Sequence, residues 1–317
     1  LLDLPNDTTA GSGIFSINYS NYINAFSEHN VRLVMLKGQE FNIDDVHLFS
    51  VGINDRKKYK NYLNALEDDI ARNIISCNPD VIHCHHLCFG ISEVLNRANL
   101  DIKRISFCHG TDVIFAKRNA HHKKTLIESI SKSEVVIVPT EEMLIELKSI
   151  CGDKSVNNAR VVYWGVNVNK DLSARNDLSL RNGVLFVGRN SPEKGVDNLI
   201  KLIYANPLLN FTIVTDERIS LDLNKARNVT QIIGHLPQSK VIKLMRIHKY
   251  LLVPTTGIEA FSLVCAEAMS MKLPVISYKS SSIKEVLPSS FPSLRNSNTY
   301  LSKIYFSNYS TYLELCY

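Results

Sequence analysis

The chain has 317 residues, of which 45% are hydrophobic and 21% charged. This is the make-up of a folded protein long enough for two domains of roughly 150 residues, not of a disordered or fibrous chain. A net charge of +5 permits an anionic ligand or an anionic membrane surface and requires neither. No apolar run reaches the ~20 residues of a membrane span, and no signal-peptide pattern follows Leu1. Seven cysteines, an odd number without a Cys-x-x-Cys pair, read as reduced thiols in a cytoplasmic protein.

In chain order, Gly11-Ser-Gly13 comes first and reads as a glycine-bearing loop before a helix that begins at Ile14. Short apolar β-rich runs then alternate with longer stretches of helical period. The first series of strands is 31–36, 81–84, 105–108 and 135–138, with helices expected over 60–75 and 121–132. A polar, aperiodic stretch at 169–182 reads as a linker. A second strand series follows at 184–187, 211–214, 229–233, 250–253 and 274–277. Strands alternating with helices predict parallel sheets covered on both faces. The expected architecture is therefore α/β, with two Rossmann-like doubly wound domains, 1–168 and 183–317, facing across a cleft. Such sheets bind ligands beyond the carboxyl ends of their strands.

Two stretches carry the chemistry. In Val184-Leu-Phe-Val-Gly-Arg-Asn-Ser-Pro-Glu-Lys-Gly195 a buried strand runs into Gly188, and two cations follow it beside a helix start. Arg189 and Lys194 so placed suit a diphosphate, although two solvated loop cations would read the same way. One glycine in the turn does not make a dinucleotide fingerprint. The second stretch is Gly257-Ile-Glu-Ala-Phe-Ser-Leu-Val-Cys-Ala-Glu-Ala-Met269. Ser262 is placed to cap a helix whose free N–H groups, from Phe261 through Leu263 to Val264, would face an anion. Glu267 lies within the apolar part of that helix. A carboxylate there can take two hydrogen bonds from the vicinal hydroxyls of a ribose, or an ion pair with Arg189 or Lys194. Glu259, before the helix, can meet hydroxyls of a second sugar.

The spacing from Glu259 to Glu267, followed by Ala-Met-Ser-Met-Lys-Leu-Pro-Val-Ile, resembles the signature of the retaining glycosyltransferases of family 4, which have the GT-B fold. Four other segments agree in order: Phe107-Cys-His-Gly-Thr-Asp-Val113, Ser133-Glu-Val-Val-Ile-Val-Pro-Thr140, Phe186 to Gly195, and Gly234-His-Leu-Pro237. The resemblance implies that Arg189 and Lys194 hold the donor diphosphate and stabilise the leaving nucleotide. Glu267 would hold the ribose, and Glu259 the donor sugar. His109 would reach the sugar from the other domain. Gly234 and Leu236 would lie at the base, and Gly11, Gly13 and Gly188 near the phosphates. It further implies no metal and no other cofactor.

The implied partners are a UDP-, GDP- or ADP-linked sugar and a glycan, lipid-linked or small-molecule acceptor. Nucleic acid is not expected, because the basic run Lys117-Arg-Asn-Ala-His-His-Lys-Lys124 lacks interleaved aromatics. That run reads as a solvated helix start, or as an acceptor-side patch that touches the cytosolic face of a membrane. His83, Cys84, His85, His86, Cys88, Cys108 and His109 match no usual zinc spacing. The chain departs from the family pattern in having Glu259-Ala-Phe-Ser262, without glycines, and the match fades beyond Val286, where no long crossover helix is expected. A catalytically inactive GT-B subunit and a sugar-nucleotide epimerase are the alternative readings.

Overall fold

The computed structural model describes residues 1–6, 11–38, 46–98, 100–166, 180–234, 236–255, 259–278, 281–287 and 293–294. The chain divides into two compact units, Leu1–Tyr163 and Trp164–Tyr317. The first contains β1 (Leu2–Pro5), α1 (Gly11–Phe26), β2 (Leu33–Lys37), β3 (Val46–Gly52), α2 (Tyr59–Cys77), β4 (Val81–His85) and α3 (Gly90–Arg97). It continues through β5 (Lys103–Phe107), α4 (Gly110–Arg118), α5 (Ala120–Ser131), β6 (Val135–Val138), α6 (Glu141–Cys151) and β7 (Ala159–Val161). These strands lie in the order β3-β2-β1-β4-β5-β6-β7, and every pairing is parallel.

The second unit contains β8 (Val184–Val187), α7 (Val196–Ala205), β9 (Phe211–Thr215), β10 (Val229–Ile233), α8 (Gln238–Ile247) and β11 (Tyr250–Val253). After these come α9 (Leu263–Ser270), β12 (Val275–Tyr278), α10 (Ser281–Val286) and β13 (Ser293–Leu294). Its order is β10-β9-β8-β11-β12-β13, again with parallel pairing throughout.

Alternation along each strand explains why helices cover both faces. In β2, Leu33 and Met35 pack toward Ile17 of α1. Val34 and Leu36 point the other way, to Leu63 and Leu66 of α2. The second unit repeats the device. Leu185 joins α8 and α9 through Met245 and Cys265, while Val184 and Phe186 join α7 through Leu199 and Ile203. Each such fully buried side chain contributes about 1.5–3 kcal/mol. In both sheets the strand order reverses once, between β1 and β4 and between β8 and β11. Those switch points are where doubly wound sheets place ligands.

Two expectations change, and a third lies mostly outside the described residues. Gly11 and Gly13 are not a loop: Gly11 opens α1 and Gly13 is buried in its first turn. The helix therefore begins three residues earlier than expected, with Gly13 facing inward. The basic run 117–124 is not one helix start but the junction of α4 and α5. Asn119 breaks it, its side chain accepting hydrogen bonds from the N–H groups of His121 and His122. The linker expected at 169–182 lies outside the described residues up to position 179. Its last part belongs to the second unit, where Arg181 is buried and donates to the carbonyls of Met271 and Lys272. A cation there completes the carboxyl end of α9. The tail beyond Leu294 lies outside the described residues.

Candidate active site

The turn after β8 is built by its contacts with the end of β11. Pro192 opens a 3₁₀ turn over Pro192–Lys194, closed by Gly195 in the left-handed region at φ 74°. A Cβ on Gly195 would lie 2.2 Å from the Pro254 carbonyl oxygen. Only glycine lets this backbone lie against that one. The Thr255 hydroxyl donates to the Glu193 carbonyl at 2.6 Å, and the Asn198 amide donates to the Pro254 carbonyl at 3.2 Å. The other side of the turn is held from β9, where the Asp216 carboxylate accepts from the Asn190 backbone N–H at 2.7 Å. Asp216 was not singled out in the sequence. Its carboxylate, one residue past the end of β9, was the available signal.

On this clamped turn the two cations differ. Arg189 is exposed, and its guanidinium has no hydrogen-bond or ion-pair partner among the described residues. Lys194 is held: its ammonium donates to both carboxylate oxygens of Glu259, at 3.0 Å each. Gly188, where the strand ends, is a looser requirement, since a Cβ would meet the Phe186 ring at 3.2 Å.

Helix α9 starts at Leu263, one residue after Ser262, as expected, but the cap does not form. Ser262 is buried and its hydroxyl interacts with the Cys265 thiol. The Leu263 N–H already donates to the Phe261 carbonyl at 3.0 Å, so one of the donors expected to face an anion is engaged. Phe261 is itself buried, its ring centroid 6.1 Å from that of Trp164. Trp164 and this contact were not read from the sequence.

Glu267 is 8% exposed. Neither Arg189 nor Lys194 pairs with it. The Gln238 side chain, at the start of α8, donates to its Oε1 at 2.7 Å. Burial pushes the Glu267 carboxyl above the usual range, and the Gln238 bond works against that shift. The ionised group is thus under-compensated by the described protein groups, as suits a carboxylate with further hydrogen bonds to accept. Gln238, which the motif pattern missed, joins the candidate site through this bond. Just before α8, Gly234 sits at φ 96° with open space around its Cβ position, and Leu236 packs on the core beside α8.

In the first unit, His109 is at the carboxyl end of β5 and is 2% exposed. Its backbone N–H donates to Asp112 Oδ2 at 2.7 Å, and Asp112 Oδ1 accepts from the Leu87 N–H at 2.8 Å. The carboxylate thereby ties the ends of β4 and β5 together. The His109 Nε2 lies 3.3 Å from His85 Nδ1, which is also 3.0 Å from the Ser16 hydroxyl of α1. Ser16 spends its proton on the Ser12 carbonyl at 2.8 Å, which assigns the bridging proton to His85 Nδ1 and leaves His109 Nε2 as acceptor. Burial holds both imidazoles well below the ordinary histidine pKa, so they are neutral at pH 7. His86 takes φ 72°, an uncommon backbone for a side chain of its size.

Burial also pushes the thiols of Cys88 and Cys108 up and that of Cys265 to about 12. None is a thiolate nucleophile at neutral pH. Among the described residues, no three His, Cys, Asp or Glu side chains are arranged to hold a metal ion. No described helix is long and apolar enough to cross a membrane.

Two parallel-sheet α/β units, each with its polar groups at a switch point, define a GT-B protein. The family comparisons agree. Residues 11–170 match the model of Glycosyltransferase Family 4, and residues 170–291 match that of Glycosyl transferases group 1. The chain belongs to glycosyltransferase family 4. It is similar to an uncharacterised glycosyltransferase of Methanocaldococcus jannaschii, with 27% identity over 85% of this chain and 79% of that one. Among solved structures it resembles sucrose-phosphate synthase from Thermosynechococcus elongatus at a TM-score of 0.77 and 16% identity, over 99% of this chain and 88% of that one. It also resembles the Anabaena protein HepE in complex with UDP-glucose, at 0.68 and 14%, over 94% and 85%. At these identities the structural likenesses speak to the fold.

Proposed function

We propose that the chain transfers a hexosyl group, with retention, from a nucleoside-diphosphate sugar to a hydroxyl of a glycan, lipid or small-molecule acceptor. The observation that carries this reading is the array around the β8–β11 switch point: Arg189 open, Lys194 on Glu259, and Glu267 buried with unspent acceptor capacity. Arg189 and Lys194 meet the diphosphate, Glu267 the ribose and Glu259 the sugar. The relatives bound to UDP and UDP-glucose support this type of donor. In the reaction the acceptor oxygen bonds to C1 on the face from which the phosphate oxygen departs, and that oxygen takes the acceptor proton. Charge grows on the leaving phosphate, and the cations stabilise it without a metal. His109, neutral, contributes a hydrogen bond and not a charge. The basic junction at 117–124 is the surface through which a lipid-borne acceptor would bring the chain to a membrane.

The test is turnover of UDP-glucose, GDP-mannose and ADP-glucose, with NMR of the first-formed sugar. An α-linked donor is expected to release the α anomer before mutarotation. Arg189→Ala is expected to slow turnover about 100-fold while weakening nucleotide binding far less, because its contact strengthens in the transition state. A β product would contradict retention, an epimerised donor would favour the epimerase, and silence with all three would favour the inactive subunit.

A further inference from the structure

We infer that Glu259 is a specificity residue that separates the sugar-bearing donor from the bare nucleoside diphosphate by competing with the diphosphate for Lys194. The inference rests on the proposed reading that Lys194 meets the diphosphate. The resting ion pair is symmetric, with the ammonium 3.0 Å from each carboxylate oxygen. Its two ends are unequally wet: the Lys194 side chain is 33% exposed and that of Glu259 only 14%. An anion arriving at Lys194 finds at most one N–H unspent and competes with the drier partner for the others. The backbone cannot share any movement of the ammonium, because Gly195 is packed on Pro254 and Thr255 holds the Glu193 carbonyl. The lysine side chain has to rotate alone.

What happens to Glu259 next depends on the ligand. A sugar on the diphosphate offers hydroxyls that donate to the abandoned carboxylate and replace the lost bonds. A bare diphosphate offers none, and it leaves a mostly buried carboxylate unpaired beside added negative charge. The donor is thus admitted with its exchange compensated, whereas the product is expelled when Glu259 reclaims Lys194. Arg189, which has no partner to give up, plays no part in this discrimination.

Calorimetric titration of the wild-type chain and of Glu259→Gln tests the inference, using UDP, GDP and ADP and the corresponding glucose or mannose conjugates. Glutamine keeps the size and can still meet a sugar hydroxyl, but it forms no ion pair. The variant is expected to bind the bare diphosphate about tenfold tighter and the nucleotide sugar within about threefold of wild type, so that the preference collapses. In a Lys194→Gln background the same substitution is expected to gain no more than about twofold, which separates competition from general charge repulsion. Wild-type binding with the same ratio in both chains, or looser diphosphate binding by the variant, overturns the inference and leaves the proposed function standing. Failure of wild type and variant alike to bind any of these ligands overturns both.

Discussion

Gly195→Ala is expected to remove nucleotide binding and to cost the second unit more stability than a methyl added at any other of its described glycines. The new Cβ would lie 2.2 Å from the Pro254 oxygen, 2.5 Å from its carbonyl carbon and 2.9 Å from the Thr255 nitrogen. All three are backbone atoms of the strand end, so no rotamer change relieves the overlap. The residue also sits at φ 74°, which alone costs an alanine about 1 kcal/mol. Relief requires the turn to lift from β11, breaking the bonds of Thr255 and Asn198 and exposing Val196 and Leu199 beneath. The total belongs with the rare losses above ~4 kcal/mol. Gly152 is a control for conformation without contact: it has φ 85° and ψ 147°, a region almost exclusive to glycine, and open space around its Cβ position. Gly152→Ala should therefore show a conformational cost alone, about 1–3 kcal/mol. Urea denaturation of both variants, with UDP binding measured in parallel, checks the prediction. Equal losses in the two would mean that the packing of Gly195 on Pro254 has no energetic weight.

The second large effect is acid sensitivity of the first unit well above the carboxylate range. Burial lowers the pKa of His83 to about 4 and holds those of His85 and His109 well below normal. A histidine depressed in the fold binds a proton on unfolding at any pH between its folded value and the unfolded ~6.5. The unfolded chain then holds more protons, so stability is full above pH 6.5 and falls as pH drops. With three such groups the slope approaches ~4 kcal/mol per pH unit, at about 1.4 kcal/mol for each proton. Between pH 6.5 and 5 this precedes the protonation of ordinary carboxylates, so the window reports on the histidines. The urea midpoint at half-unit pH steps measures it, and His109→Gln should lower the slope by one proton. A flat profile from pH 6.5 to 5 would show that these imidazoles are accessible to protons in the folded chain.

How much of this could be read beforehand depended on the kind of signal. The strands Val135–Val138, Val184–Val187 and Tyr250–Val253 were legible to the residue, because a central parallel strand is apolar on both faces. β3 was not: its burial alternates, with Phe49 inside and Leu48 exposed, as suits the sheet edge where it lies. Arg189, Lys194, Glu259 and Glu267 were legible as charges that had no reason to sit where they do. Their pairing was not, because Lys194 lies 65 positions from Glu259, and Gln238 lies 29 from Glu267. Asp216, Thr255 and Arg181 act through backbone atoms, and no pattern of side-chain types encodes which carbonyl or N–H a polar residue will reach. The Ser262 cap failed for a similar reason: a thiol one turn on competed for the hydroxyl.

The account stands on the second unit being a nucleoside-diphosphate site in which Glu267 holds the ribose. Calorimetric titration of the purified chain with UDP, GDP and ADP, beside Glu267→Ala, tests that most directly. One nucleotide is expected to bind selectively. The variant should lose affinity about 100-fold or more, the worth of two hydrogen bonds to a charged group. It should remain folded, since burial already opposes the charge of the wild-type carboxylate and its one described side-chain bond is to Gln238. Undiminished nucleotide affinity in Glu267→Ala, or no binding of any nucleotide to the wild-type chain, would contradict it.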